Sequence, residues 1–317
     1  MLTARIVSNM RTSSLYSTLL GGVLLLVTIP AHAALQVFAC EPEWAALTNE
    51  IAADKATVYS ATTAHQDVHR IQARPGLIAQ VRKADLVICS GAELEVGWLP
   101  LLLRRASNPG VQAGKAGYFM AAEQVDRLDV HTTVDRSMGD VHAAGNPHIH
   151  LAPYRMITIS QALAKRLAKI DPDNAVFYLN QQQQFETRWQ AAIKRWEQQA
   201  LPLKGTEVVV HHKDWRYLLD WLEMKAVASL EPKPGLPPNA NHLARLNQQM
   251  KQQPAAMILR AHYQAVRPSE WLSKKSGIPA IALPYTVGGS DAAQDLFSLY
   301  DDTLQRLLTT VESNNQR

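Results

Sequence analysis

The chain alternates short apolar runs with longer stretches whose apolar residues recur at three or four, and it does so twice. Residues 35–40 form the first short run. Pro42 then opens a helical pattern through Trp44, Leu47 and Ile51 that ends near residue 54. Residues 57–62 are a second strand pattern, and the polar segment 64–73 is a loop. Pro75 leads a helix through Leu77, Ile78 and Val81. The run 85–90 (DLVICS) is apolar enough for a strand buried on both faces, Gly91 breaks it, and 98–105 resumes a helix. Strand, helix, strand in this rhythm predicts a parallel sheet covered by helices. From 110 to 153 the pattern weakens among Gly110, Gly114, Gly117, Gly139 and Gly145, and loop is expected.

A helix follows over 154–170. Asp171-Pro172 then caps a long one over 173–200, with Val176, Phe177, Leu179, Phe185, Trp189, Ile193 and Trp196 along it. At 1.5 Å per residue it runs about 40 Å. The alternation then restarts. Strands are expected at 207–211, 227–230, 256–259 and 280–283, and helices at 215–222, 242–252, 269–275 and 292–311. The expected fold class is α/β, with two lobes, each a mostly parallel sheet flanked by helices, joined by one long rigid helix. The boundaries are 34–170 for the first lobe, 171–203 for the helix and 204–317 for the second lobe. Open α/β sheets take their ligands outside the carboxyl ends of the strands, so two such edges would share one cleft.

Residues 1–33 stand outside this pattern. Arg5 and Arg11 are the charges of a basic start, an apolar run of about 11 residues follows, and Ala31-His32-Ala33 supplies a small-x-small cleavage site. This is a cleavable signal peptide, too short to span about 30 Å of hydrocarbon. The mature protein is expected in the periplasm. The 317 residues are 47% hydrophobic, too apolar for disorder. A net charge of +4, from 32 basic and 28 acidic residues, argues against a nucleic-acid partner. Two cysteines exclude a disulfide scaffold and a four-cysteine zinc module.

Eleven histidines are the chemically informative feature. Six form close pairs: His65 and His69, His148 and His150, His211 and His212. Each pair falls beside a loop that follows a strand or precedes a helix, at cleft-facing positions. Imidazole is the commonest metal ligand and suits zinc. One pair alone is weak evidence, because a solvated histidine is the usual case; three pairs at one edge point to a metal.

Four segments carry a family resemblance. HQDVHRIQARPGLIAQVRKADLVICSGAELEVGWL resembles a D-P-H motif, a Pro-led helix, an A-D-L-V strand and a G-x-x-L-E-x-W-L run. NPHIHLAP resembles D-P-H-x-W-L-D-P, and HKDWRYL resembles H-D-A-x-G-Y-F. Asp171-Pro172 followed by Tyr178-Leu179-Asn180 resembles the start of a long connecting helix. Together they resemble the zinc- and manganese-specific solute-binding proteins of bacterial ABC importers, the ZnuA/TroA-like cluster A-I family, over nearly the whole mature chain. The resemblance implies metal ligands at His69, His148 and His212, leaving His65, His150 and His211 as neighbours. It implies a fourth position near the last strand, where Val287 stands about where some members have an aspartate and Asp291 is the nearest carboxylate. Asp291 is therefore the expected fourth ligand. Val68, Asn146 and Ala152 depart from the family's residues without removing a ligand, and no long His-rich loop is present.

The resemblance further implies a monomeric, non-enzymatic carrier that captures Zn2+, with Mn2+ less favoured, and passes it to an ABC importer permease. Three imidazoles and one carboxylate would close a tetrahedron around zinc with no open catalytic position, and manganese prefers more oxygen ligands. Asp67, Glu95 and Asp214 are candidates to hold the free ring nitrogens. A secreted zinc-dependent hydrolase is the alternative from another class. The chain lacks H-E-x-x-H and H-x-H-x-D-H, and no acid follows His148-Ile-His150 as required. A manganese-specific member of the same family is the nearer alternative, and the histidine motifs argue against a siderophore or haem carrier. Cys40 and Cys89 end two neighbouring strands. Export permits a disulfide, but two small buried thiols are the simpler expectation.

Overall fold

The computed structural model describes residues 34–133, 139 and 141–316, so the expected signal peptide lies outside the described residues. The first lobe runs β1 (Leu35–Ala39), α1 (Pro42–Ala52), β2 (Ala56–Ser60), α2 (Pro75–Lys83), β3 (Leu86–Cys89), α3 (Leu99–Ala106) and β4 (Tyr118–Met120). The helix α4 (Pro153–Ile170) follows, then α5 (Ala175–Ala200). The second lobe runs β5 (Glu207–Val210), α6 (Arg216–Trp221), β6 (Lys225–Ser229), α7 (Ala240–Gln252), β7 (Met257–Ala261), α8 (Val266–Ser276), β8 (Ala280–Leu283) and α9 (Leu296–Asn315). Pro42, Pro75 and Pro153 each sit at the start of a helix, where the missing N–H costs nothing.

Each lobe is built on a four-stranded parallel sheet, in the orders β2-β1-β3-β4 and β6-β5-β7-β8. The two orders are the same pattern. In each, the chain steps to one side of the first strand and then crosses to the other, which opens a crevice at the strands' carboxyl ends. Side chains alternate along the strands. Val37, Ala39, Leu86 and Ile88 face one core, while Phe38, Cys40, Val87 and Cys89 face another beneath α2 and α3. In the second lobe Val208, Val210, Met257 and Leu259 face the same core as Val37 and Ile88, and Val209 and Ile258 face a third. One apolar core therefore runs through both lobes.

The helix α5 packs on α1 and α4 and on α9, so it is clamped by both lobes. Trp189 stacks on Phe185 with centroids 5.2 Å apart, and Trp196 stacks on Tyr300 at 4.7 Å. The indole N–H of Trp189 donates to the Pro153 carbonyl at 2.9 Å and that of Trp196 to Asp301 Oδ1 at 2.6 Å. Buried aromatics with their polar edges satisfied make a stiff seam. No helix among the described residues is long and apolar enough to cross a membrane.

Two expectations need correction. The glycine-rich stretch is not loop throughout, because Tyr118–Met120 forms β4 against β3. Gly117 permits it, since a Cβ there would collide with the carbonyl oxygens of Asp85 and Gly110. Cys40 and Cys89 are not two thiols. They form a disulfide, with Cα atoms 4.8 Å apart, because β1 and β3 are adjacent and in register where each ends.

Candidate metal centre

His69 follows β2. The short loop ends in a 3₁₀ turn, Val68–Arg70, capped by Asp67, whose Oδ1 accepts from the His69 backbone N–H at 3.0 Å. The same oxygen takes the His69 ring through Nδ1 at 2.9 Å. Buried Val68 anchors the turn, and its carbonyl accepts from the Trp98 indole at 2.9 Å. The loop that carries His69 is thus fixed from both sides.

His148 precedes the turn that opens α4. Its backbone N–H donates to Asn146 Oδ1 at 3.0 Å, while Asn146 Nδ2 donates to the Lys213 carbonyl at 3.1 Å. The Tyr217 hydroxyl donates to the Asn146 carbonyl at 2.8 Å. Asn146, a departure from the family pattern, therefore ties this segment to the second lobe. His148 Nδ1 lies 2.5 Å from the Tyr285 hydroxyl. His212 stands just past the carboxyl end of β5, with Nδ1 2.6 Å from Glu231 Oε2. That oxygen also accepts from the Gly235 N–H at 2.9 Å.

The three rings meet. Centroids are 5.7 Å apart for His69 with His148, 5.7 Å for His69 with His212 and 6.1 Å for His148 with His212, all edge-to-face. One ligand atom from each lies within 4.8 Å of the others. Each Nδ1 is held by a different group, so each ring presents Nε2 to the common space. Holding the far nitrogen fixes ring orientation and tautomer, as in metal-binding histidines generally. His69 Nε2 is buried with no hydrogen-bond partner.

The neighbours take other places. His65 is exposed. His150 is buried under α9, with Nε2 2.9 Å from the Tyr285 carbonyl and Nδ1 3.1 Å from Glu43 Oε1 but off the hydrogen-bond axis. His211 lines a cavity of about 250 Å³ beside the cluster, shared with Asp67, His69, His212, Glu231 and Tyr263.

Asp291 is not brought to the histidines. Gly288, with φ 81°, and Gly289, whose Cβ would press on the Cα of Pro284, fold the loop after β8 back on itself. That turn carries Asp291 into solvent ahead of α9 and leaves Tyr285 facing His148. Glu95 is also elsewhere, its carboxylate accepting from the backbone N–H groups of Ser90 and Gly91. The carboxylate inside the cluster is Asp214, fully buried, with Oδ1 3.7 Å from Nε2 of both His148 and His212.

Tyr285 and Glu231 join the site without a sequence motif of their own, and His142, one of the sparse histidines of the glycine-rich stretch, joins them. Glu231 was findable once strand order is known, since it follows β6 and β6 lies beside β5. His142, from the glycine-rich stretch, stacks on His69 at 5.5 Å with its Nε2 buried and unpartnered.

The electrostatics separate the rings. Burial, reinforced by His69 and His212, holds His148 well below the usual histidine range. Burial with the same two neighbours takes His142 down to about 4. Burial opposes the His212 cation too, but Asp214 and Glu231 outweigh it and raise that ring to about 9.

The sequence profile of ZnuA, zinc-uptake complex component A, periplasmic, matches residues 37–311. The high-affinity zinc uptake system protein ZnuA of Bacillus subtilis (strain 168) is 22% identical over 271 residues, 84% of this chain and 83% of that protein. The manganese ABC transporter substrate-binding lipoprotein scaA of Streptococcus gordonii is 30% identical over 144 residues. That match spans 45% of this chain and less than half, 44%, of scaA. A crystal structure of ZnuA superposes with a TM-score of 0.72 at 21% identity, covering 88% of this chain and 99% of that one, which shows the shared fold. The profile spans both sheets and all three histidines, and the chain belongs to the ZnuA family of metal-binding solute-binding proteins of ABC importers.

Proposed function

We propose that this chain captures Zn2+ between its two lobes, outside the cytoplasm, and delivers it to the permease of an ABC importer. The observation that carries this reading is the convergence of three Nε2 atoms, from His69, His148 and His212, each with its Nδ1 fixed by a separate partner. Such a nitrogen-rich site favours zinc over manganese, which prefers oxygen ligands. The relatives' names support a metal of this group and differ on which one, zinc for the Bacillus protein and manganese for scaA.

The signal peptide expected over residues 1–33 and the Cys40–Cys89 disulfide both support an oxidising, extracytoplasmic setting. The working boundaries are 34–170 and 204–317 for the lobes and 171–203 for the connecting helix. The mature chain acts as a monomer and a carrier, with the metal as its transported ligand.

Competition on metal-stripped mature protein tests this. Zinc is expected to displace manganese and to win metal from a chromophoric chelator at one ion per chain. Manganese outcompeting zinc, or no uptake of either, would overturn the reading.

A further inference from the structure

We propose that Asp214 supplies the fourth metal ligand, through Oδ1. This rests on the zinc reading above and goes beyond it by completing the coordination sphere.

Asp214 lies in the Lys213–Trp215 turn that opens α6, two residues after His212. Its side chain is fully buried. Gln264 Nε2 donates to Oδ2 at 2.5 Å and the Tyr263 hydroxyl at 3.3 Å, which fixes the plane of the carboxylate. The other oxygen, Oδ1, is buried with no hydrogen-bond partner. A buried carboxylate oxygen left unpartnered is costly, and native structures rarely keep one without a reason.

What Oδ1 faces supplies the reason. It stands 3.7 Å from His148 Nε2 and 3.7 Å from His212 Nε2. That is too long for a hydrogen bond, whose N···O distance is about 2.7–3.2 Å. It is close to the edge of a zinc tetrahedron, about 3.3 Å when the metal bonds are about 2.0–2.2 Å. The other two carboxylates around the rings are already engaged, Asp67 on His69 Nδ1 and Glu231 on His212 Nδ1. Asp214 Oδ1, buried and unpartnered, is the carboxylate oxygen that stands on the Nε2 side.

The result is a closed site of three nitrogens and one oxygen. His69 and His148 come from before α5, and His212 and Asp214 from one turn after it. The metal then bridges the lobes by two ligands each, and its one carboxylate offsets half of a divalent charge. Neither water nor the exposed Asp291 is needed to complete it.

The test compares Asp214→Asn, Asp214→Ala, His69→Ala and Asp291→Ala for zinc affinity against a chromophoric chelator, with zinc-free thermal unfolding to confirm folding. Asp214→Asn keeps the shape and the contacts to Gln264 and Tyr263. Both Asp214 variants are expected to weaken zinc by at least about a hundredfold, since losing a direct ligand costs no less than losing an outer-shell partner, about 10–100-fold, and Asp291→Ala is expected to leave it unchanged. Asp214 variants that bind like the native chain while His69→Ala loses zinc would overturn this assignment and leave the zinc reading standing. If His69→Ala also binds normally, the zinc reading falls and takes the assignment with it. A crystal structure of the zinc-loaded native protein decides the point without variants. Oδ1 within about 2.2 Å of the metal supports direct ligation, and Oδ1 beyond about 3 Å overturns it.

Discussion

Zinc loading should expel close to one proton per chain at neutral pH, and the proton comes from His212. Zinc binds neutral imidazole, so any ring protonated in the metal-free protein must lose its proton on loading. Burial disfavours the His212 cation, but Asp214 and Glu231 outweigh burial and bring the ring to about 9. His148, held low by burial and its histidine neighbours, is already neutral and releases nothing. Below about pH 9 the apparent zinc affinity should therefore rise about tenfold per pH unit, which is about a hundredfold between pH 6 and 8.

The metal-free fold responds with the opposite sign. A ring whose folded value is raised adds stability that is fully present below its unfolded value of about 6.5 and is lost as pH climbs through about 9. The span corresponds to about 3 kcal/mol at about 1.4 kcal/mol per unit. Calorimetric zinc titration in buffers of different ionisation enthalpy counts the protons directly. Zero release at pH 7, together with a flat affinity from pH 6 to 8, would mean that His212 carries no proton in the metal-free protein. Glu231→Gln removes the closest anion, 2.6 Å from Nδ1, and should reduce the release.

His69→Ala, His148→Ala and His212→Ala should each weaken zinc by about tenfold or more, about 1.4 kcal/mol, in chelator competition. His65→Ala, on an exposed ring, should change nothing, and His150→Ala and His211→Ala should cost less than their partners. Tyr285→Phe removes the group 2.5 Å from His148 Nδ1 and should cost about ten- to a hundredfold in zinc affinity by the same assay. Replacing Cys40 and Cys89 by serine opens a bridge between residues 49 apart. The chain-entropy relation puts its loss at up to about 4 kcal/mol, read by denaturant unfolding, with zinc affinity preserved because the sulfurs group with Glu95 and not with the three histidines.

The strands and the α5 seam were legible because their signals are local. An apolar run such as LVIC at β3 or a Trp/Phe stripe at three and four survives without knowledge of the rest of the chain. The histidines were legible through motifs, which select His69, His148 and His212 from three pairs, and those are the rings that meet. What failed depended on distance or on a single turn. Tyr285 lies 137 residues from the ring it holds, so no spacing rule connects them. Strand β4 is three residues long, and its identity comes from pairing with β3, not from its own pattern. The disulfide required the register of β1 against β3, which brings Cys40 and Cys89 together. The resemblance puts the fourth position near the last strand, where Asp291 is the nearest carboxylate, but Gly288 and Gly289 turn the backbone before it arrives. Sequence proximity makes Asp214 a partner for a ring's far nitrogen, whereas its Oδ1 faces the Nε2 side.

The three converging Nε2 atoms imply one zinc ion held by imidazoles from both lobes. X-ray absorption at the zinc edge of the stoichiometric complex reads that ligand shell. The expected spectrum has a first shell of nitrogen and oxygen at about 2.0–2.1 Å with outer-shell scattering from three imidazoles and no sulfur. A shell with fewer than two imidazoles, or one containing sulfur at about 2.3 Å, would contradict it.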